Sequence, residues 1–279
     1  MSATLALAAA LFFDDFNQAD LAALRTGGWT LRSSAGHPGI PGARWDPARI
    51  ELPGQGVLRL HAATDGTPAG SFQTQICRPQ QFLWGSTSAR VRFSDTPLSG
   101  PDGDGAVQAF FQVSPLRFDY DPLFSELDWE YLPNGGWGAP DTRLYGVAWQ
   151  TVRLEPWESH NLSVEDKQSF GGRWVQLTVQ ATPQGSRWFV DEREIAFHAG
   201  RTVPRQAMGL AFSHWFSPGN LLPAGPIRHY AFDVDWVVHV AGEPLSPQQL
   251  RERVLGLRAQ GVAAHDSLPP APQPPTCDF

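Results

Sequence analysis

The chain has 279 residues, of which 42% are hydrophobic and 18% are charged, and its formal net charge at pH 7 is −7. With 17 Phe and 11 Trp it has ample material for a sizeable core, so it is globular and not disordered. The negative charge argues against nucleic acid or an anionic membrane as partner, because both are bound through basic patches. A neutral ligand fits this composition better.

The N-terminus, residues 1–13, carries an apolar run that is similar to the core of a signal peptide but lacks a basic segment before it. We therefore expect residues 1–11 to be a signal remnant or an N-terminal extension, and the protein to be extracellular or secreted. No stretch approaches the ~18 consecutive apolar residues of a transmembrane helix, so no membrane span is expected.

Short alternating or apolar segments follow one another from residue 57 to residue 240. Clusters of Gly, Pro and Asp separate them, and no helical periodicity interrupts them. Many strands with turn signals between them indicate an antiparallel sandwich or jelly roll, here a single domain over residues 12–241. The predicted strands are Val57–His61, Ser88–Phe93, Ala106–Val113, Ser125–Tyr131, Arg143–Gln150, Trp174–Val179, Arg187–Val190, Met208–Phe216 and Ala231–Val240.

One of these strands carries three acidic residues, Glu126, Asp128 and Glu130, which alternate with Leu127 and Trp129. In an extended strand the acids share one face and the apolar residues the other. Like charges side by side repel, so a purely structural strand gains nothing from this arrangement. A solvated acidic edge strand is the alternative, but the apolar neighbourhood favours a functional role.

A helical pattern follows the strands. Ser246 and Pro247 supply an N-cap and a first-turn proline, and Leu250, Val254 and Leu257 recur at helical spacing. Beyond this short helix, the proline-rich segment is expected to be an extended tail without a core of its own. Residues 242–279 are thus predicted to be a helix and a tail appended to the β domain.

Paired carboxylates of different protonation are the usual equipment for cleaving a glycosidic bond. Residues i and i+4 on a strand are ~13 Å apart at Cα for a rise of ~3.3 Å per residue. Retaining enzymes need roughly 5 to 5.5 Å between the carboxyl groups, so Glu126 and Glu130 would have to lean together on a curved strand. Asp128 lies between them, and such a trio titrates as a unit in which at least one carboxyl keeps a proton, as a general acid must.

The segment from Glu126 to Glu130 resembles the active-site signature of glycoside hydrolase family 16, the group of lichenases, laminarinases and xyloglucan-modifying enzymes. The likeness covers roughly residues 10 to 240, although Glu192 replaces the glycine expected after Asp191. The signature lacks the extra residue of laminarinase-like members, so it is more similar to the lichenase and xyloglucan branches. Further segments that resemble the family are Trp84–Arg92, Gly105–Phe111, Arg187–Asp191, Met208–Trp215 and Asp235–Val237.

This resemblance implies an all-β fold, a concanavalin A-like β-jelly-roll sandwich with a concave substrate cleft, followed by the short C-terminal helix. It implies a retaining, endo-acting hydrolase that cleaves a β-glucan-type polysaccharide by double displacement. Glu126 would be the nucleophile, Asp128 its assistant and Glu130 the acid/base, with Glu126 charged and Glu130 protonated. The partner would be a polysaccharide or oligosaccharide substrate, no cofactor would be required, and the protein is expected to be a monomer.

Five further side chains are candidates for substrate binding. Aromatic rings stack on the flat C–H faces of sugars, and Trp215 matches a family position near the cleavage point. Trp149 and Tyr145 alternate on the strand after the signature, where the family has sugar contacts. Trp84 and His214, the latter beside Trp215, are added to this set, although a place in the core is an equally good explanation for any single tryptophan.

The sequence carries little that points to a metal. The histidines are scattered singly, and Cys77 and Cys277 are too far apart for a zinc site, although they permit one disulfide. The segment Asp102–Gly105 lacks the ligand pattern of a calcium loop and is predicted to be a turn. Asp235, by resemblance, occupies a position that often helps to bind a structural calcium.

Two other functions remain open at this point. A non-catalytic carbohydrate-binding protein can share the fold, because a fold does not imply an activity. The intact acid trio argues against that alternative. A transglycosylase, in which a sugar replaces water as the attacking group, has the same sequence features.

Overall fold

The structure is a computed structural model that describes residues 9–272 and Cys277. Over these residues the chain folds into a sandwich of two sheets, which confirms the predicted all-β jelly roll. In chain order the strands are β1 (Leu11–Asp14), β2 (Thr30–Leu31), β3 (Arg44–Trp45), β4 (Ile50–Gly54), β5 (Val57–Thr64), β6 (Phe72–Phe82), β7 (Gly85–Arg92), β8 (Ala106–Val113), β9 (Glu126–Leu132), β10 (Arg143–Arg153), β11 (Glu158–Asp166), β12 (Trp174–Thr182), β13 (Gly185–Val190), β14 (Arg193–His198), β15 (Met208–Phe216), β16 (Arg228–Ala241) and β17 (Ala264–Asp266). The α-helices are α1 (Leu21–Thr26) and α2 (Pro247–Ala259).

One sheet, named the cleft sheet here, carries the acid row. Its antiparallel strands follow the spatial order β11, β10, β9, β8, β15, β6 and β2. The second, or back, sheet follows the order β4, β5, β16, β7, β12, β13 and β14, and β1 pairs with the remaining half of β16. Two strands, β10 and β11, therefore lie on one side of β9, and four strands, β8, β15, β6 and β2, lie on the other side.

All nine predicted strands are present, and two of them, Ala106–Val113 and Met208–Phe216, have the predicted bounds. The other eight strands were not predicted, and the longest of these are β6 and β11. Both faces of β6 are buried, and this burial includes the polar side chains of Gln73 and Gln75. These polar residues interrupt the apolar pattern by which a buried strand is predicted from sequence. The edge strand β11 was missed for the opposite reason: it is exposed along most of its length, so it has no apolar face that a sequence pattern could indicate.

The core lies between the sheets and depends on the apolar half of β9. Leu127, Trp129 and Tyr131 are each at most 2% exposed. Trp129 packs edge-on against Trp188 of the back sheet, with ring centroids 5.0 Å apart, an arrangement that aromatic pairs favour. Burial of these rings fixes which face of β9 is turned away from the core.

Both ends of the described chain belong to the β sandwich. Leu11, inside the predicted extension, pairs with Val240, so the boundary predicted at residue 11 falls within a strand. The predicted helix is confirmed as α2, which Ser246 caps and which packs Leu250 and Val254 against the back sheet. After it, β17 pairs with β1 and Leu268 is buried in the core.

The first residues of the predicted tail therefore contact the core, through Leu268. Residues 273–276 and 278–279 lie outside the described residues. Cys277 forms a disulfide with Cys77 of β6, with 5.6 Å between the Cα atoms, which settles the pairing that the sequence left open.

A buried ion pair anchors the turn predicted at residues 102–105. Asp104 and Arg228 are at most 1% exposed and share two hydrogen bonds of 2.7 and 2.9 Å. Tyr230 and the backbone of Leu222 also donate to the Asp104 carboxylate. All these groups are enclosed, so the loss of one partner leaves a buried charge without compensation.

Replacing Asp104 with Ala is therefore expected to lower the free energy of unfolding by about 3–5 kcal/mol. Asp102, two residues away and exposed, is the matched control, and Asp102→Ala should change stability by less than about 0.5 kcal/mol. Urea unfolding of both variants measures the difference. Equal losses in the two variants would refute the anchoring role of the Asp104–Arg228 pair.

Candidate active site

The three acidic residues of β9 lie together at the floor of a cleft of about 550 Å³. Glu126 and Asp128 are 8% and 5% exposed, and Glu130 is half-buried. Each acid is flanked on both neighbouring strands by apolar or aromatic side chains. The cross-strand partners of Glu126, Asp128 and Glu130 are Val113, Phe111 and Ala109 on β8, and Trp149, Val147 and Tyr145 on β10.

This apolar setting holds protons on the acids, because burial penalises a charged carboxylate. Burial, together with the charge of Glu130, raises the pKa of Glu126 to about 8. Burial also raises the pKa of Glu130 to about 7 and that of Asp128 well above its ordinary value of 3.8. The row therefore keeps protons at pH 7, as a general acid requires.

The expected asymmetry, with Glu126 charged and Glu130 protonated, stays a prediction, because the pKa values of both glutamates are raised. The surroundings of the two glutamates differ. The Trp137 indole N–H donates to Glu130 Oε2 at 3.0 Å and favours its charged form, whereas Glu126 is more deeply buried. The three carboxyl groups therefore titrate as a coupled unit.

Aromatic side chains form the walls of the cleft. Trp215, Trp149 and Tyr145, predicted as sugar contacts, all line it. The Trp149 indole N–H also donates to Asp128 Oδ2, which fixes the orientation of that carboxyl. Near Glu130, Trp137 packs 6.0 Å from Trp215, measured between ring centroids.

The opposite wall is built by two loops. His37 of the β2–β3 loop stacks on Trp157 of the β10–β11 turn, with ring centroids 5.7 Å apart and planes inclined by 18°. Trp157 also meets Trp149, the cross-strand partner of Glu126, so this wall lies at the Glu126 end of the acid row. With walls at both ends of the strands, the long axis of the cleft runs across the strands.

Two predicted binding residues lie elsewhere. His214 is fully buried on the core face of β15, because it is adjacent to Trp215 and neighbours on a strand point in opposite directions. Burial lowers its pKa to about 4, so the ring is neutral. Trp84 lies in the β6–β7 turn, where its indole N–H donates to the carbonyl of Pro204, and it does not line the cleft.

The suggested calcium ligand does not fit a metal site. Both carboxylate oxygens of Asp235 bind guanidinium groups, Oδ2 to Arg90 at 2.6 Å and Oδ1 to Arg258 at 2.8 Å. Among the described residues, no group of three or more His, Cys, Asp and Glu side chains is placed to hold a metal ion. Asp235 is thus part of an ion-pair network that connects α2 to the back sheet.

The sequence did not single out several residues that line the cleft. Trp137 and Trp157 lie in turns, where strand periodicity gives no information, and Asn161 and Ser163 lie on the unpredicted strand β11. The sequence did contain an indication for Trp137: it is an aromatic residue flanked by glycines in the turn that follows the acid row. Its φ of 53° places a bulky residue in the left-handed region, which is uncommon.

Comparison with solved structures confirms the predicted fold. A β-1,3-1,4-glucanase (lichenase) from a mouse hindgut metagenome has a TM-score of 0.63 and 17% identity, over 85% of this chain and 100% of that one. The β-glucanase of Bacillus licheniformis has a TM-score of 0.62 and 15% identity, over 83% and 98%. The κ-carrageenase of Pseudoalteromonas carrageenovora, solved with an oligotetrasaccharide of κ-carrageenan, has a TM-score of 0.55 and 14% identity, over 86% and 99%.

Neither the models of known protein families nor the sequences of curated proteins match the chain. At identities of 13–17%, the structural likeness establishes the fold, which is that of glycoside hydrolase family 16. The acid row and the aromatic cleft are observations on this chain itself.

The raised pKa values predict how stability depends on pH. Glu126 and Glu130 ordinarily lose their protons near 4.5, but in the folded protein they keep them up to pH about 8 and about 7. The folded state then binds more protons than the unfolded chain, so the free energy of unfolding falls as pH rises from 4.5 towards 8.

We expect this fall to be on the order of a few kcal/mol and to be largely absent in the double variant Glu126→Gln, Glu130→Gln. Urea unfolding at a series of pH values, performed in parallel on both proteins, isolates the contribution of the two acids. Identical pH profiles would contradict the raised pKa values.

Proposed function

We propose that the protein is a retaining glycoside hydrolase that cleaves within a β-glucan-type polysaccharide by double displacement. The observation that carries this proposal is the row Glu126, Asp128 and Glu130, buried at the floor of an aromatic cleft with raised pKa values. A carbohydrate-binding protein gains nothing from enclosing three acids, because their burial costs free energy and no cation in the described part of the chain is paired with them.

In the first step Glu130 donates its proton to the glycosidic oxygen while the carboxylate of Glu126 attacks the anomeric carbon. A glycosyl ester on Glu126 results, and the leaving sugar departs as an alcohol. In the second step Glu130, now charged, removes a proton from a water molecule, which attacks the same carbon and releases Glu126. The two inversions together retain the configuration.

This assignment needs a proton on Glu130 and a charge on Glu126 at the moment of reaction, whereas burial favours the protonated form of both glutamates in the free protein. The transition state resembles an oxocarbenium ion, and positive charge beside Glu126 favours its ionised form. Asp128 lies between the two glutamates, and its own burial and their charges raise its pKa, so it is placed to take up or release the proton during this redistribution.

The charge of the cleft supports a neutral substrate. No Arg or Lys is among the residues that line the cleft in the described part of the chain. A negatively charged polysaccharide would meet three acids without a compensating cation, whereas the C–H faces of neutral sugars can stack on Trp149, Trp215 and Trp137. We therefore favour a β-glucan-type chain over a charged polysaccharide.

Secretion is part of the proposal. A disulfide such as Cys77–Cys277 forms and persists in oxidising compartments, which supports an extracellular location. No helix in the described part of the chain has the length and apolar character needed to cross a membrane.

Azide can distinguish the two glutamates. The substrate is a β-glucan oligosaccharide with an activated aryl leaving group. The variant Glu126→Ala should be inactive in water and regain activity when azide replaces the missing nucleophile. The product should be the α-glycosyl azide, because only one displacement occurs at the anomeric carbon. Glu130→Ala, also rescued by azide, should give the β-glycosyl azide, because both displacements occur. NMR of the products assigns the anomers.

Glu165→Gln is the matched control, since Glu165 lies on β11 in the same cross-strand row as Glu130 but outside the cleft. It should keep wild-type activity. The same anomer from both alanine variants would refute the assignment of the two roles.

The hydrogen bond from Trp137 predicts a shift in the pH profile. This bond lowers the pKa of Glu130, so Trp137→Phe, which keeps an aromatic ring but loses the N–H, should raise it. The alkaline limb of kcat/KM should then move to higher pH, as measured with a soluble β-glucan substrate. A lower rate with an unmoved limb would show that Trp137 only binds sugar.

A further inference from the structure

The cleft differs at its two ends. At the β11 end it is open: β11 is an edge strand, and its cleft-lining residues Ser159, Asn161 and Ser163 are exposed. Hydroxyl and amide groups there can exchange hydrogen bonds with sugar hydroxyls. A polysaccharide that lies across the strands can leave the cleft over this edge.

At the other end Cys277 stands on the floor of the cleft. Its disulfide partner Cys77 lies opposite Ala211, which lies opposite Phe111, which in turn lies opposite Asp128. Cys77 is thus in the same cross-strand row as the central acid, three strands away, or about 14 Å at ~4.8 Å per strand. A chain that passes over the acids in this direction meets Cys277.

Other groups hold this obstruction in place. The carbonyl oxygen of Cys277 accepts hydrogen bonds from Gln75 Nε2 and from Arg32 Nη1, the latter at 3.3 Å. Arg32 is 1% exposed and also donates to the carbonyl oxygen of His37 at 3.0 Å, which connects the obstruction to the wall of the cleft. The guanidinium of Arg32 lies 4.1 Å from the ring centroid of Trp45. Cys277 is therefore fixed by one covalent bond and by a buried cation.

We propose that Cys277, which is bound to β6 through its disulfide with Cys77, closes the cleft on one side. The distance from the acid row to this closed end then sets how many sugar rings fit between them. This inference rests on the retaining hydrolase chemistry of the proposed function but changes where the glucan chain is cut: cleavage occurs a fixed, small number of rings from one end of the chain instead of at internal positions chosen at random. The products should then be short oligosaccharides of nearly uniform length, and the viscosity of a glucan solution should fall slowly.

The first test requires no change to the cleft end. Oligosaccharides of mixed-linkage β-1,3-1,4-glucan carry a bulky fluorophore at either the reducing or the non-reducing end, and their affinity is measured by calorimetry with Glu126→Gln to prevent turnover. A fluorophore at the end that faces Cys277 should weaken binding by about tenfold or more, since a clash there cannot be relieved, whereas at the other end it should be tolerated. Equal tolerance of both labels would overturn the proposal.

The second test removes the Cys77–Cys277 disulfide. Cys277→Ser and Cys77→Ser break the same bond from either side, and both should give longer products and a faster loss of viscosity than the wild type. Leu255→Ser, on an exposed position of α2, is the control and should leave product lengths unchanged. Thermal unfolding shows whether the variants are folded, and an unaltered product distribution in folded variants would refute the proposal.

The binding test separates the proposal from the proposed function. If the oligosaccharides bind with the predicted end preference but the wild type cleaves none of them, the hydrolase assignment is refuted and the proposal of a closed cleft end is supported. If the wild type cleaves but shows no end preference, the closed end fails and the hydrolase assignment stands. If no oligosaccharide binds, both fail.

Discussion

The enclosure of three carboxyl groups on one face of β9 is the constraint on which the rest of the site depends. It is possible because the other face of the same strand carries Leu127 and Trp129, whose burial holds the strand against the back sheet. The free energy that the apolar face supplies offsets the cost of bringing Glu126 and Asp128 out of water. A strand exposed on one face would hold the same acids in their ordinary charged states.

The neighbouring strands complete this environment with specific donors. Two indole N–H groups, from Trp149 and Trp137, donate to two different carboxyls, those of Asp128 and Glu130, while burial raises the pKa of all three acids. The same tryptophans line the cleft, so one residue type both orients an acid and forms the aromatic wall beside it. The electrostatics of the acids and the shape of the cleft are therefore coupled at these positions.

The sequence predicted the parts of the site that follow from strand periodicity. The row from Glu126 to Glu130 and the contacts of Trp149 and Tyr145 needed only a period of two. The same rule places His214 and Trp215 on opposite faces, so the error for His214 was avoidable.

Features that join distant segments could not be predicted in this way. Three such features bring together residues separated by tens to hundreds of positions. They are the ion pairs of Asp235 with two arginines, the stack of His37 on Trp157, and the Cys77–Cys277 disulfide. Strand β11 escaped prediction because solvent on most of its length removes the apolar signal.

The disulfide has a consequence for how the protein responds to proteolysis. It closes a covalent loop whose ends are 200 residues apart and which contains every strand from β7 to β17. A protease that cuts an exposed turn within this loop produces two fragments that stay linked, so the acid row remains tethered to the strands that enclose it. The bond that holds Cys277 against β6 thus also supplies resistance to fragmentation.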